Sequence, residues 1–181
     1  MSQRRISDRV VVLDRDGTIV VDRNYLDDPA ALEFEPGAVD GLRSLYAQGY
    51  RLVVVTNQSG IGRGLFSEQR LHEIHDRLCV MAESVGVRLE GIYYCPHTPE
   101  DGCQCRKPSI ALLNQAAAEL RFDPSSAVVI GDKLSDVEFG RRASATTILI
   151  AKKMPEIDSA VKPDYVVSNL IQAGQIIVGL Q

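Results

Sequence analysis

Apolar residues along the chain fall into two kinds of run. Short, near-continuous stretches at Val10–Leu13, Leu52–Val55, Ile92–Tyr94, Ala127–Ile130 and Thr147–Ile150 are rich in β-branched residues. Runs this short, without polar alternation, fit parallel strands covered on both faces. Between them, apolar positions recur at helical spacing. The clearest such segment runs from Ser67 to about Val85, with Leu71, Ile74, Leu78, Met81 and Val85 on one face and Gly86 as its stop. Pro36-Gly37 predicts the opening of a helix that Gly49 closes. Ser109 is placed to cap the next helix, and Ser135 with Glu138 reads as a capping box for another.

Strands alternating with helices predict an α/β fold: a doubly wound, mainly parallel sheet of Rossmann type, with ligands bound outside the carboxyl ends of the strands. The chain has 181 residues, which suits one domain over 1–181. It shows no repeat, linker or low-complexity segment. Met1–Arg9 reads as a short polar tail, and Asp22–Phe34 and Cys95–Lys107 are the two long loops. Neither loop is large enough for a second folded unit, so the expectation is a fold without a large cap domain.

Composition narrows this further. Apolar residues make up 45% and charged residues 24%, the balance of a soluble globular protein. A net charge of −4 argues against a nucleic-acid partner, which would call for a basic face. No apolar run approaches membrane-spanning length and no signal pattern opens the chain, so no membrane association is expected. Three of the four cysteines crowd into 95–105 with a histidine among them. That pattern points to metal ligation in a reducing compartment, hence a cytoplasmic protein. Cys79 stands apart on a helical stretch and is expected to be a small buried hydrophobe. His72 and His75, on the same helix, have no ligand cluster beside them in sequence and read as solvated or satisfied histidines.

The candidate chemistry sits at strand ends. The first strand runs into Asp14-Arg15-Asp16-Gly17-Thr18, where two carboxylates two residues apart can face one pocket. An ionised Asp14 can attack phosphorus once a cation offsets its repulsion from the phosphate. Asp16 can then protonate the leaving oxygen and later activate water. The bland alternative is a polar turn or a plain cation site. The second strand ends in Thr56-Asn57-Gln58-Ser59-Gly60, a hydroxyl and amides suited to phosphate oxygens. Lys107, solvated by default, can neutralise a transferring phosphoryl group if it reaches the same place. After the fourth strand comes Gly131-Asp132-Lys133, with Asp136 four residues beyond Asp132. Asp132, Asp14 and the main-chain carbonyl of Asp16 offer the hard oxygen ligands Mg²⁺ requires. Asp136 either orients that shell or sits in the first turn of a helix.

Cys95-Pro-His97, five residues, then Cys103-Gln-Cys105 offers a Cys₃His set for tetrahedral Zn²⁺. With all four positions filled by protein, such a metal is structural and organises the 95–105 loop.

In this order, the motifs Asp-x-Asp-Gly-Thr, a strand-end Thr, Lys and Gly-Asp-x-x-x-Asp resemble those of the haloacid dehalogenase-like phosphatases over nearly the whole chain. The resemblance implies Asp14 as nucleophile, Asp16 as general acid/base, Thr56 and Lys107 as phosphoryl ligands, and Asp132 as a Mg²⁺ ligand. A Cys-x-His…Cys-x-Cys insertion ending in Arg-Lys-Pro is similar to two branches of that family, the D-glycero-D-manno-heptose 1,7-bisphosphate phosphatases and the histidinol-phosphate phosphatases. The five-residue spacer is of the short kind associated with the histidinol branch, which some heptose enzymes also have. Thr56-Asn-Gln-Ser-Gly-Ile-Gly-Arg-Gly64, Ile92-Tyr-Tyr-Cys-Pro-His97 and Gly131-Asp-Lys-Leu134 resemble the heptose branch. After Pro108 the chain reads Ser-Ile-Ala, where the resemblance leads one to expect a Pro-Gly turn.

The heptose resemblance implies a phosphorylated sugar as substrate, with Asp22, Arg23, Asn24 and Tyr25 lining its loop. Further contacts are implied from Thr56 to Ser59 (including Asn57 and Gln58), Arg106 and Lys133. A bisphosphate needs a cation for its unreacting phosphate, and Arg106 supplies a fitting fork. The C7 phosphate would be removed on the way to nucleotide-activated heptose for surface glycans such as lipopolysaccharide, by an enzyme acting as a monomer without a protein partner. Histidinol-phosphate hydrolysis is the first alternative. A zinc-organised binding module with relic phosphatase motifs is the second.

Overall fold

Valine and leucine fill every position of the first strand, β1 (Val10–Leu13), and all four side chains are buried. The other strands are β2 (Arg51–Asn57), β3 (Leu89–Cys95), β4 (Val128–Gly131), β5 (Thr146–Ile150) and β6 (Tyr165–Val167). The helices are α1 (Ala38–Ala47), α2 (Glu68–Ser84), α3 (Ala111–Leu120), α4 (Leu134–Arg142) and α5 (Leu170–Gly179). The computed structural model describes residues 9–152 and 161–180. The expected Met1–Arg9 tail therefore lies outside the described residues except for Arg9.

The six strands form one sheet in the order β3-β2-β1-β4-β5-β6, and every pairing is parallel. Alternate side chains of β1 serve opposite faces. Val11 and Leu13 pack with Leu42 and Leu45 of α1, Ile74 and Leu78 of α2, and Leu170 and Ile177 of α5. Val10 and Val12 pack with Leu113 and Ala116 of α3 and Phe139 of α4. Helices on both faces explain why these strands read as continuous apolar runs rather than alternating ones.

Sheet order reverses at β1, whose neighbours are β2 on one side and β4 on the other, so a crevice opens at their carboxyl ends. Register fixes what lines it. Leu13 lies beside Val54 and Ile130, and the Asp14 N–H donates to the Ile130 carbonyl at 2.9 Å. The chain thus leaves β1 and β4 at one level, bringing Asp14 and Asp132 together, while β2 runs on to Asn57 and carries Thr56 past the end of β1.

Several local expectations shift. α4 begins at Leu134 rather than after Ser135: the N-cap is Lys133, whose backbone N–H donates to Asp136 Oδ2 at 3.1 Å. Asp136, not Glu138, therefore closes the cap, and Glu138 instead pairs with Arg142. α3 starts at Ala111 after Ile110; the Ser109 hydroxyl donates to the Gln104 carbonyl and also accepts from the Ala111 N–H at 3.4 Å, so it meets the helix start from one residue before the N-cap. Cys79 is half-buried rather than buried. His72 meets the Tyr94 hydroxyl at 2.8 Å, whereas His75 is buried with Nε2 unpartnered among the described residues. β6 and α5 complete the sheet edge and the first face, although their short apolar runs gave no strand or helix expectation. Asn169 caps α5 by accepting from the Gln172 N–H at 3.0 Å.

Candidate active site

Asp14 follows β1 and is buried, and its Oδ1 accepts from Lys107 Nζ at 2.6 Å. The same ammonium lies 2.6 Å from Asp136 Oδ1 and donates to the Val55 carbonyl at 2.7 Å. All three of its donors are therefore taken, and Lys107, far from solvated, is 5% exposed. Asn57 holds the lysine's main chain in a clamp: Oδ1 accepts from Lys107 N at 3.0 Å and Nδ2 donates to Lys107 O at 3.3 Å.

Oxygens of Asp14, Asp132 and Asp136 lie within 4.8 Å of one another. Two of these carboxylates, Asp14 and Asp136, share the buried Lys107 ammonium, while Asp132 has only the exposed Lys133 at 4.0 Å. Burial alone would lower Lys107, but Asp136 and Asp14 outweigh it and hold the ammonium above its usual range. Burial pushes the Asp132 carboxyl up to about 7, with Asp14 and Asp136 adding to the rise and Lys133 opposing it. Burial likewise raises Asp136 despite Lys107 beside it. The lysine rises because two carboxylates face it, whereas the two aspartates rise chiefly because they are buried, with their mutual repulsion adding to it. Asp132 Oδ1 is also buried without a hydrogen-bond partner. An orphaned carboxylate oxygen in an anionic cluster fits a hard divalent cation such as Mg²⁺.

Two glycines make room for this cluster. At Gly17, φ is +81°, and a Cβ would stand 2.5 Å from Asp132 Oδ2. A Cβ on Gly131 would stand 2.3 Å from Asp136 Cγ.

The Asp16 side chain points elsewhere. Both its oxygens take donors from Arg15, and Gln58 Nε2 reaches Oδ2 at 2.7 Å. Thr56 is buried, and its Oγ1 accepts from Gln58 Nε2 at 3.0 Å. A cavity of about 260 Å³ opens beside Asp16 and is lined also by Asp22, Asn24, Tyr25, Asn57, Gln58, Ser59, Arg106 and Lys133. Arg106 is steadied by donating to the His97 carbonyl at 3.2 Å, and Lys133 by Asp22 at 3.4 Å. Asn24 and Tyr25 both have left-handed backbone, φ 49° and 68°, in a turn where Asp22 Oδ1 accepts from the Asn24 N–H. Arg23 is not brought to the cavity; its guanidinium is held by Glu33 at 2.6 Å.

Cys95, His97, Cys103 and Cys105 converge as the spacing predicts. Sulfur–sulfur separations run from 2.9 Å (Cys95–Cys105) to 3.6 Å (Cys103–Cys105), and His97 Nδ1 lies 3.2 Å from Cys105 Sγ. A tetrahedron with metal–sulfur bonds of about 2.3 Å has edges of about 3.8 Å, so the donor set suits Zn²⁺ once Cys95 and Cys105 move apart from 2.9 Å. Burial, then the hydrogen bond with Cys105, pushes the Cys95 thiol up, as expected where thiols crowd without a cation.

Known proteins match this architecture over its full extent. The HAD-hyrolase-like family model matches residues 104–173. The chain is 36% identical to the D-glycero-beta-D-manno-heptose-1,7-bisphosphate 7-phosphatase of Pasteurella multocida, over 96% of this chain and 98% of that one. The corresponding enzyme of Haemophilus ducreyi is 38% identical over 90% and 94%. This chain belongs to the heptose-1,7-bisphosphate 7-phosphatase family of HAD-like hydrolases. The D,D-heptose 1,7-bisphosphate phosphatase of B. bronchiseptica, solved with magnesium and phosphate, superposes with a TM-score of 0.87 at 26% identity, covering 96% of this chain and 99% of that one. Membership in this phosphatase family makes the chain a phosphoric monoester hydrolase.

Of the two readings of Asp136, orienting the carboxylate shell or sitting in the first turn of a helix, the structure shows both: it clusters with Asp14 and Asp132, pairs with Lys107, and lies in the first turn of α4. One residue of the site escaped sequence reasoning. Arg15 drew no expectation, because an arginine between two aspartates reads as a solvated side chain.

Proposed function

We propose that this heptose-bisphosphate phosphatase removes the C7 phosphate of D-glycero-β-D-manno-heptose 1,7-bisphosphate through a phospho-aspartate on Asp14, leaving the 1-phosphate for nucleotide activation. The observation that carries the bisphosphate reading is that Arg106 and Lys133 line the same cavity as Asp16. Two cations at its wall suit a second phosphate distant from the reacting one.

Asp14 Oδ attacks phosphorus, and the bond to the C7 oxygen breaks with its electron pair going to that oxygen, which takes a proton from Asp16. Asp16, now a carboxylate, removes a proton from water as its oxygen attacks the phosphoryl group. The Asp14–phosphorus bond then breaks, returning the carboxylate, releasing phosphate and leaving Asp16 protonated as at the start. Lys107 holds the nucleophile oriented and neutralises the transferring group together with the Thr56 hydroxyl. Asp14, Asp132 and the Asp16 carbonyl would hold Mg²⁺. When bound, this ion offsets charge between nucleophile and phosphate. Asp22, Asn24, Tyr25, Asn57, Gln58 and Ser59 are assigned to the sugar side of the cavity. The zinc set of Cys95, His97, Cys103 and Cys105 is assigned a structural role, and Arg23 supports the loop through Glu33. The reading takes 1–181 as one domain, acting as a monomer in the cytoplasm, where thiolates stay reduced.

Product analysis by phosphorus NMR tests the reaction. One equivalent of phosphate should appear with heptose 1-phosphate as the co-product, and Asp14→Asn should abolish release while the fold persists. Release of the anomeric phosphate, or turnover by Asp14→Asn, would reject the assignment.

A further inference from the structure

Arg15 is the largest fully buried side chain, 1% exposed, and it carries a charge. Burying a guanidinium costs stability unless its partners are well placed. Here the partner is Asp16. Nε donates to Asp16 Oδ2 at 3.1 Å and Nη2 to Oδ1 at 3.0 Å, a fork across both oxygens. Nη2 also donates to Gln58 Oε1 at 2.9 Å, and Gln58 Nε2 returns to Asp16 Oδ2 at 2.7 Å. The three side chains close a ring, and Gln58 is itself 5% exposed.

We propose that Arg15 and Gln58 are positioning residues that aim the Asp16 carboxyl for proton transfer; this rests on the reading of Asp16 as general acid/base given above. An aspartate at the end of a strand has freedom about two side-chain torsions. The ring removes that freedom while leaving the carboxyl 16% exposed at the cavity. It also distinguishes the two oxygens. Oδ2 receives Arg15 Nε and Gln58 Nε2 and also lies 3.0 Å from Arg15 Nη2, whereas Oδ1 has Nη2 alone. Oδ1 is therefore the oxygen with room for the proton and the one that exchanges it with the leaving group and with water. When Asp16 is protonated, Gln58 Oε1 keeps Arg15 partnered. The guanidinium thus stays in place through both halves of the reaction, and the carboxyl returns to the same orientation.

A purely structural role for the ring would affect every substrate alike; positioning of an acid affects those whose leaving oxygen needs a proton. The test compares kcat/KM for heptose 1,7-bisphosphate, an alkyl phosphate, with that for p-nitrophenyl phosphate, whose leaving group departs unprotonated. Because kcat/KM reports on steps through transfer to Asp14, later hydrolysis does not blur the comparison. General acid catalysis contributes typically about 10²–10⁴-fold, and small misplacement of a catalytic group can cost about 10²-fold. Arg15→Met should lose about 100-fold on the sugar phosphate and only a few-fold on the aryl phosphate. Gln58→Met, which also lines the sugar side of the cavity, should show the same split more weakly when a simple alkyl phosphate without the sugar is compared with p-nitrophenyl phosphate, and that comparison supplies the reading if Arg15→Met does not fold. Retained aryl-phosphate turnover certifies a folded nucleophile in each variant. If Asp16→Asn shows the split while Arg15→Met and Gln58→Met lose equally on both substrates or on neither, positioning is overturned and the Asp16 role stands. If Asp16→Asn itself loses equally on both, the acid role fails and this inference fails with it.

Discussion

Replacing Lys107 with methionine tests whether this ammonium holds the carboxylate cluster together. Met keeps much of the stem and removes the charge. Lys107 Nζ lies 2.6 Å from oxygens of both Asp14 and Asp136, with all three groups buried. At an effective dielectric of about 20, each contact is worth about 6 kcal/mol of gross Coulomb energy. Desolvation offsets most of that, and breaking a buried pair typically costs a net of about 3–5 kcal/mol. At about 2–4 °C per kcal/mol for a chain this long, Tm should fall by about 6–20 °C in chelator. Because Asp132 already has an orphaned oxygen in the same cluster, Mg²⁺ should recover more stability in Lys107→Met than in the parent. Activity should stay lost, since a cation elsewhere in the cluster does not replace the ammonium that orients Asp14. Thermal unfolding by circular dichroism, with chelator and with Mg²⁺, reads both effects. An unchanged Tm in chelator would refute the reasoning, as the three carboxylates would then not depend on Lys107.

Burial, then Arg15 and His72, lowers His75 to about 3, against 6.5 for a free imidazole. The unfolded chain therefore takes up this proton first, and the contribution present above pH 6.5 is lost as pH falls toward 3. The loss by pH 5 should be about 2 kcal/mol, and His75→Phe should flatten the denaturant-measured slope between pH 7 and 5 by that amount. Stripping zinc should lower Tm and expose the 95–105 loop to protease, with Zn²⁺ and not Mg²⁺ restoring both; equal stability of the stripped protein would remove the structural zinc. Gly17→Ala, with its Cβ 2.5 Å from Asp132 Oδ2 on a left-handed backbone, should weaken Mg²⁺ dependence of activity several-fold and lower Tm, while Gly49→Ala, with open space around it, should leave the Mg²⁺ dependence as it is.

The parts legible in the sequence were those with a strong local signal. β1, β2, β4 and β5 announced themselves because burial on both faces leaves a continuous apolar stretch in each, and α2 because one stripe meets the core. The Cys₃His cluster was legible because its four residues lie within eleven positions, 95 to 105. β6 was not, since three residues at a sheet edge carry too little pattern, and α5 was overlooked although Asn169 offered a cap. The α4 start was misread because Asp136 serves two masters: it caps Lys133 and pairs with Lys107 from a loop twenty-nine residues earlier. The second of these is a tertiary contact that no local pattern encodes. Arg15 was missed for the same reason, as only the approach of β2 brings Gln58 to it. Lys107 looked solvated until the Asn57 clamp placed it under the strand ends.

Substrate choice tests the central claim most directly: phosphate release with Mg²⁺, comparing β- and α-heptose 1,7-bisphosphate with histidinol phosphate at equal concentration. The account predicts strong preference for the β-heptose bisphosphate, with Arg106→Ala losing much of it by rising KM. Preference for histidinol phosphate, which has one phosphate and a cationic amine, would contradict it and make the five-residue zinc spacer the better guide.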